Sequence, residues 1–434
     1  MTPTAPRGSQ AAAAIDLLRR NADFRNLFLS SVVSFLGDWF ALVAVAGLIR
    51  DLTGSDGATA VVFAAQTLPI FFFAPLAGVL ADRVDRKRLM IVADVLRIPP
   101  ALLLVVASMS GQAWLAFAGV ATISMLAAFS QPVPAAVVPN MVDEDDLSLA
   151  VAMMGSVWGT MLFLGAAIGG LAAAMLGREL AFVLDAATFA ASALLLLRVR
   201  RPFNAGAVST AGAGVVAHLG EIWAFVRPRK ISRALMLTKS GVGFGNGIIG
   251  LLPLYAIDRF GAGDAGTGVL LAARGLGALV GPYLGRRLIA GSGHRLVWIC
   301  GGSIVVFGLT YLLLPLAPSL TVAAVLIFLA HLGGGNQWVA STEGLQRTTP
   351  DHVRGRVMSL DFGLATLAIG VSTLVAGGVA EMLGIGVTTV VIALVPVLYG
   401  AGWLVWTRDL WGGARDPLEV PGDRPEQLSG EAAQ

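Results

Sequence analysis

Gly78-Val-Leu-Ala-Asp82-Arg83-Val-Asp85-Arg86-Lys87-Arg88 is a densely charged segment from which the architecture of the chain can be predicted. It holds two acids and four bases. Apolar runs border it on both sides, Val61 to Leu80 before it and Leu89 to Val106 after it. A bilayer core about 30 Å thick is crossed by roughly 20 apolar residues of helix. The charged stretch is therefore predicted to be a tight aqueous turn between two membrane-spanning helices.

The composition of the whole chain agrees with a membrane protein. The 434 residues are 56% hydrophobic and only 13% charged, with a mean hydropathy of +0.78. A soluble protein of this length needs far more polar surface. The sequence pI of about 9.3 raises the question of nucleic acid. The bases, however, lie in short loops between apolar runs and form no basic face interleaved with aromatics, so we expect no nucleic-acid partner.

The sequence offers no sign of enzyme chemistry. Cys300 is the only cysteine, and the four histidines are scattered without the spacing of metal ligands. No nucleophile–base pair and no phosphate-binding loop is visible. We therefore expect no catalytic residues, no metal, no cofactor and no direct use of ATP.

The apolar runs predict an all-α membrane protein with 12 transmembrane helices in two groups of six. The polar segment between the groups carries apolar residues at helical spacing from Val215 to Val226, which is typical of a short amphipathic helix on a membrane face. The predicted segments are a cytoplasmic N-terminal tail (1–24), an N-terminal six-helix bundle (25–197), a cytoplasmic linker (198–232), a C-terminal six-helix bundle (233–407) and a cytoplasmic C-terminal tail (408–434).

The placement of the bases predicts the orientation in the membrane. With the N-terminus inside, 24 of the 30 lysines and arginines fall on the cytoplasmic side, and three, Arg50, Arg178 and Arg259, fall outside. Such an excess of bases marks the cytoplasmic side of a membrane protein. We therefore expect a multi-pass protein of a bacterial plasma membrane with both termini cytoplasmic.

The charged turn also resembles a known family signature. Its order, Gly-x-x-x-Asp-Arg-x-x-Arg-Lys, is similar to the loop between helices 2 and 3 of the major facilitator superfamily, with Asp85 where glycine is usual. The resemblance implies two six-helix bundles that work by alternating access. It also implies a gating loop in which Asp82 meets the start of helix 11, helped by helix-dipole attraction. The gating-loop residues are Gly78, Asp82, Arg83, Arg86 and Lys87.

Within that superfamily, the chain resembles the macrolide-efflux and enterobactin-exporter-like group over roughly residues 24–408. The resemblance rests on Ser34-Phe-Leu-Gly-Asp38, Ala93-Asp-Val-Leu-Arg97, Asp185 and the run from Thr349 to Met358. A further run, Gly165-Ala-Ala-Ile-Gly169-Gly170, is similar to the antiporter signature, with Ala166 in place of its proline. The resemblance implies an exporter of drugs or siderophore-like amphiphiles.

Charged residues inside the spans are the candidate site, because a charge at the bilayer centre costs about 2.5–3.5 kcal/mol. Asp38 lies in the middle of helix 1 and is the proton-coupling candidate. Its alternative role is a structural partner for Arg97. Asp94 and Arg97 lie three residues apart on helix 3 and are expected to pair. Asp185 in helix 6 is expected to tune packing or to pair locally.

Three more charges fall in the second half of the chain. Lys239 lies near the inner end of helix 7, where its side chain can snorkel to the interface. Arg274 lies deeper in helix 8 and needs a partner. Asp361 lies just inside helix 11, near the predicted position of the gating loop.

Uncharged residues are candidates for the cavity wall, and an aromatic, weakly polar wall suits bulky amphiphilic molecules. These candidates are Trp39, Phe129, Asn246, Gln337 and Trp338. The sequence thus predicts a secondary transporter that uses the proton gradient to export a small molecule, with protons and membrane lipid as its other partners. We expect a monomer. An importer of the same fold and a lipid-handling membrane protein remain alternatives.

Overall fold

The computed structural model describes residues 7–203 and 215–418, and predictions for the rest of both tails and of the linker lie outside those residues. The described part of the chain consists of helices and contains no strand. The helices are α1 (Arg7–Arg20), α2 (Ala22–Thr53), α3 (Asp56–Arg83), α4 (Arg86–Ser110), α5 (Ala113–Ser130), α6 (Val133–Met141), α7 (Glu144–Leu176), α8 (Arg178–Leu197), α9 (Val215–Val226), α10 (Lys230–Gly245), α11 (Leu252–Leu254), α12 (Gly263–Ile289), α13 (Gly293–Leu312), α14 (Leu320–Thr348), α15 (Asp351–Trp406) and α16 (Arg408–Trp411).

The turn between α3 and α4 confirms the prediction made from the charged stretch. Only Val84 and Asp85 separate the two helices. The Asp85 carboxylate accepts a hydrogen bond from the Arg88 backbone N–H at 2.8 Å and so caps the first turn of α4. Aspartate is among the favoured N-cap residues, since it satisfies one of the orphan donors of the helix. This cap explains why an acid can stand where the family signature has glycine.

The number of membrane crossings also agrees with the sequence. Eleven segments among the described residues are long and apolar enough to span a bilayer. The last of them, Val353–Trp406, is 54 residues long, more than twice the length that one crossing needs. Gly384, with a φ of 76°, interrupts its helical geometry. The segment is therefore two crossings, which makes twelve.

The helices pack as two bundles. In the N-terminal bundle (α2–α8), α2 packs against α7 and α8, and α4 packs against α5 and α8. In the C-terminal bundle (α10–α15), α12 packs against α14, and α15 packs against α10 and α13. The bundles meet along two seams, α7 with α12 and α3 with α15. The exact segment boundaries given above remain a prediction.

The seventh crossing is not a single regular α-helix. After α10 it continues as a 3-10 helix (Asn246–Leu251), the short α11 and a π-helix (Tyr255–Arg259). Pro253 has no backbone N–H to donate within a helix. Earlier in the same crossing, the Ser372 hydroxyl of α15 accepts a hydrogen bond from the Gly247 N–H at 3.1 Å and donates one to the Phe244 carbonyl, so it is inserted between two backbone groups of the helix. Such departures from α-helical geometry often mark functional positions in a helix.

Candidate functional site

Arg97 is the centre of a polar cluster inside the N-terminal bundle. Its side chain is 2% exposed, and its Nη1 lies 3.5 Å from the Asp94 carboxylate, as the i, i+3 spacing predicts. The same nitrogen donates to the Ser34 hydroxyl of α2 at 3.2 Å, and the guanidinium lies 5.1 Å from the ring centre of Phe189 on α8. Asp94 in turn accepts a hydrogen bond from Ser192 of α8 at 2.6 Å. These contacts fix the Asp94–Arg97 pair between α2 and α8.

Asp185 adds a second buried carboxyl to this cluster. It lies on α8, and a Cβ placed on Gly37 would be only 2.6 Å from its Oδ1, so it packs against the α2 backbone beside Asp38. Both carboxyl oxygens are buried without a hydrogen-bond partner among the described residues. Of the two roles that the sequence predicts for Asp185, local pairing is not found among the described residues, and packing against α2 is the one that agrees with this contact. Nε and Nη2 of Arg97 are buried and unpartnered as well.

Asp38 is half-buried and borders a cavity of about 30 Å³ together with Asp94 and Arg97. A cavity of this size is large enough to hold a water molecule. The structure thus brings Asp38, Asp94, Arg97 and Asp185 together from α2, α4 and α8. No ion pair joins Asp38 to Arg97 in the described part of the chain, where the arginine pairs with Asp94 instead.

The C-terminal bundle holds a buried ion pair between Lys239 of α10 and Asp361 of α15. Their side chains are 3% and 1% exposed. The ammonium also donates to the Thr342 hydroxyl at 2.9 Å and lies 5.2 Å from the ring centre of Trp338. Lys239 therefore does not snorkel, because its charge is neutralised inside the bundle. Asp361 faces this lysine, and its Oδ1 is buried without a hydrogen-bond partner among the described residues.

Arg274 of α12 makes no ion pair among the described residues, and its Nε is buried without a hydrogen-bond partner. Beside it, the Tyr311 hydroxyl and the His331 Nε2 are hydrogen-bonded at 3.0 Å. Phe307 makes an edge contact with both rings. Tyr311 and His331 are fully or almost fully buried. The structure therefore gives Arg274 neither an acid nor a ring contact among the described residues, and the partner that the sequence demands is not found there.

Two arginines join the bundles at one end of the molecule, which we call the closed end. Arg50 at the end of α2 pairs with Asp56 of α3 at 2.9 Å and with Asp258 of the C-terminal bundle at 3.0 Å. Arg178 at the start of α8 pairs with Asp51 at 2.5 Å. It also makes a two-nitrogen contact with Asp264 of α12, at 2.7 and 3.2 Å.

A third bridge and a close helix crossing reinforce the closed end. Glu381 of α15 accepts hydrogen bonds from the Ser55 hydroxyl at 2.7 Å and the Gly57 N–H at 2.9 Å, both at the start of α3. On the other seam, a Cβ added to Gly170 of α7 would lie 2.6 Å from the Cα of Gly268 on α12. The backbones of α7 and α12 therefore touch. Glycine at both positions allows this close approach, because neither residue has a side chain.

The gating-loop residues are only partly described. The surroundings of Gly78 and the side chain of Asp82 lie outside the described residues. The contact of Asp82 with the start of the eleventh crossing, at the beginning of α15, therefore stays a prediction. Arg83 is exposed and Arg86 is half-buried. Lys87 contacts its own bundle, because its ammonium donates to the carbonyls of Leu197 and Val199 at 3.2 and 2.8 Å.

The cavity-wall candidates occupy different environments. Trp39 is 7% exposed and packs against Gly165 of α7, which is a packing position between helices. Asn246 and Gln337 are buried, and each has a side-chain carbonyl oxygen without a hydrogen-bond partner among the described residues. Two half-buried aromatics make ring contacts: Phe129 with Phe73 of α3, and Trp338 with Phe362 of α15.

Sequence reasoning missed the closed-end contacts, although it placed Arg50 and Arg178 among the few bases on that side. The signal that could have revealed these contacts was the presence of arginines at an end of the molecule that has few bases. It also missed the Lys239–Asp361 pair, whose members are 122 positions apart. The only available signal was that two lone intramembrane charges of opposite sign lay in one half of the chain.

Similarity to known proteins extends over almost the whole chain. A family model described as transmembrane secretion effector matches residues 14–408. The multidrug efflux pump Tap of Mycolicibacterium fortuitum is 26% identical over 86% of this chain and 93% of the pump. Macrolide efflux protein A of Streptococcus pyogenes is 22% identical over 83% of this chain and 90% of that protein.

The fold is similar to that of solved transporters. A bacterial homologue of the human lysosomal transporter Spinster, in an inward-facing and occupied conformation, superposes with a TM-score of 0.72 at 13% sequence identity. The match covers 89% of this chain and 96% of that one. At this identity the likeness concerns the fold alone, and it agrees with the two-bundle architecture.

Proposed function

We propose that this chain, which belongs to the transmembrane secretion effector family of the major facilitator superfamily, is a proton-coupled exporter of bulky amphiphilic molecules. It is a secondary transporter and a multi-pass protein of the plasma membrane, and its family implies a small-molecule substrate. Export is supported by relatives named as efflux proteins that match most of the chain. The proposal of proton coupling rests on the polar cluster around Arg97.

The observation that carries the coupling proposal is a charge imbalance inside the membrane. Asp38, Asp94 and Asp185 share one guanidinium, that of Arg97, so the fully ionised cluster has a formal charge of −2. Each unneutralised charge near the bilayer centre costs about 2.5–3.5 kcal/mol. Protons bound by the two carboxyls that do not pair with Arg97 remove that cost. The cluster is thus a site where proton binding and conformation can be linked.

Asp38 and Asp185 have different places in this proposal. Asp38 borders the cavity and is the group that exchanges protons with solution. Asp185 lies behind it against Gly37 and holds a proton more permanently, because its oxygens have no hydrogen-bond donor among the described residues. In the proposed cycle Asp38 takes up a proton from outside and releases it inside, while the substrate moves outward.

The proposed orientation places the closed end outside. The opposite end, which we call the basic end, carries most of the lysines and arginines and would face the cytoplasm. The contacts of Arg50, Arg178 and Glu381 would then shut the exit from the cell in this conformation. We take the transporter to be a monomer that needs no cofactor and uses the proton gradient alone.

The test measures retention of ethidium, Hoechst 33342 and erythromycin in cells that express the chain. Cells with the wild-type chain are expected to retain less of at least one compound than cells with Asp38→Asn, and a protonophore should abolish the difference. Asp16→Asn, at an exposed position of α1, is the matched control and should behave as wild type. Lower retention that survives the protonophore would contradict proton coupling. Higher retention than in cells without the chain would indicate an importer.

A further inference from the structure

A pocket of about 390 Å³ lies at the basic end, on the outer side of the C-terminal bundle. The last turn of α12, the first two turns of α13 and the short helix α16 surround it. Its lining residues are Leu288, His294, Arg295, Trp298, Ile299 and Trp411. Nothing in the transport proposal uses this pocket, which is separate from the polar cluster around Arg97.

The pocket lies where the membrane-spanning helices begin and end. α12 ends at Ile289, α13 begins at Gly293, and the final crossing ends at Trp406. These positions correspond to the headgroup level of a bilayer, where tryptophan is enriched. Leu288 and Trp298 are 63% and 53% exposed, so the apolar side of the pocket is open toward the hydrocarbon. One wall of the pocket therefore suits acyl chains and the other suits a polar headgroup.

The acids around the pocket are already engaged. The Asp409 carboxylate pairs with the Lys230 ammonium, and this hydrogen bond holds the pKa of Asp409 below its ordinary value. Asp416 accepts hydrogen bonds from the backbone N–H groups of Gly293 and Leu418, each at 2.9 Å. Neither carboxylate is left to neutralise a base of the pocket.

The bases of the pocket, by contrast, are uncommitted. Arg295 is exposed and makes no ion pair with any described residue. The buried Nε2 of His294 has no hydrogen-bond partner in the described part of the chain. Arg286 and Arg287, in the last turn of α12, are exposed and add two more positive charges nearby. The field at the pocket is therefore positive, and it attracts anions.

We propose that this pocket binds the phosphate-bearing headgroup of an anionic phospholipid. Arg295 and His294 contact the phosphate, Trp298 and Trp411 flank the headgroup, and Leu288 contacts the first acyl carbons. Basic pockets between membrane helices at the headgroup level are suited to such lipids. A free anion or an acidic peptide would leave the exposed apolar wall unused, which is why a lipid is favoured.

The experiment uses the full chain purified in detergent with equal amounts of phosphatidylglycerol and phosphatidylethanolamine, and measures retained lipid by native mass spectrometry. The wild-type chain should retain phosphatidylglycerol preferentially. Arg295→Gln should weaken that retention about fivefold, because this is the gain in affinity that one base provides near an anionic lipid surface. Arg295→Lys should keep most of it. Arg347→Gln removes an exposed base of α14 that pairs with Glu343, and it is the matched control.

Three outcomes would overturn the proposal. The first is equal loss of phosphatidylglycerol in Arg295→Gln and Arg347→Gln, since this would mean that only overall charge matters. The second is displacement of the lipid by millimolar inorganic phosphate, which would identify a free-anion site. The third is a severalfold gain of lipid when the chain is shortened to end at Leu418, because residues 419–434 would then be the native occupant. Melting temperatures measured alongside exclude misfolding as the cause.

Discussion

Lys239 of α10 and Asp361 of α15 form an ion pair that is almost fully buried in the C-terminal bundle. Thr342 and Trp338 of α14 complete the surroundings of the ammonium. Three helices of one bundle thus meet at a single charge pair. A buried pair of this kind contributes little net stability compared with apolar residues, but removal of one partner leaves an uncompensated charge.

Replacement of Lys239 by methionine is therefore expected to destabilise the protein by about 3–5 kcal/mol. The double variant Lys239→Met with Asp361→Leu should recover most of this loss, because no charge remains unpaired. The measurement is unfolding of the purified protein in detergent, with each single variant and the double variant compared. Additive losses in the double variant would show that the two side chains do not interact.

Asp185→Asn tests whether the buried carboxyl of α8 holds a proton in the resting protein. The amide has the shape of a protonated carboxyl, so unfolding in detergent should change by less than about 1 kcal/mol, far below the cost of an unpaired buried charge. Asp94→Asn is the contrasting variant. It removes the ion-pair partner of Arg97 and should destabilise the protein by about 3–5 kcal/mol. Equal losses in the two variants would mean that Asp185 is ionised and compensated.

Arg178→Gln should loosen the closed end, since it removes contacts with both Asp51 and Asp264. Spin labels at Ser110 of α4 and Met382 of α15 would report the separation of the bundles there. The pair with Asp51 is exposed and contributes up to about 1 kcal/mol, but Asp264 is only 7% exposed and would lose its partner, so the population with a longer distance should rise by more than about fivefold. Arg20→Gln removes two ion pairs within the N-terminal part of the chain, with Asp16 and Asp146, and is the control. An unchanged distance distribution would rule out a role of Arg178 in holding this end shut.

Lys87→Gln distinguishes a structural role from a gating role. Its ammonium contacts carbonyls at the C-terminal end of α8, where a positive charge is favourable. The substitution should lower stability by about 0.3–1 kcal/mol and leave the distance between the closed-end labels unchanged. A change in that distance with no loss of stability would support the gating role instead.

Features that depend on neighbouring residues could be predicted from the sequence. The length of the apolar runs predicted the twelve crossings, and the density of charges from Arg83 to Arg88 predicted the turn between α3 and α4. The i, i+3 spacing gave the Asp94–Arg97 pair, since such residues are neighbours on a helix surface.

The contacts that the sequence did not predict depend on how helices rotate against each other. Whether Asp185 faces Gly37, or Lys239 faces Asp361, depends on a difference of one residue in helix register, and apolar side chains on every face of a membrane helix hide that register. The irregular seventh crossing was missed for a similar reason, because the Ser372 hydroxyl that replaces a helical hydrogen bond lies 125 positions away.

The contact of Gly170 with Gly268 has a mechanical consequence. Helices usually interlock through ridges of side chains that fit into grooves, and rotation then requires those ridges to be unpacked. At this crossing two bare backbones lie against each other, so no side chain has to be withdrawn when one helix rolls over the other. The bundles can therefore rotate against each other at the α7–α12 seam with little repacking of side chains. The ionic contacts of Arg50 and Arg178, rather than the helix packing, would then set the barrier to that rotation.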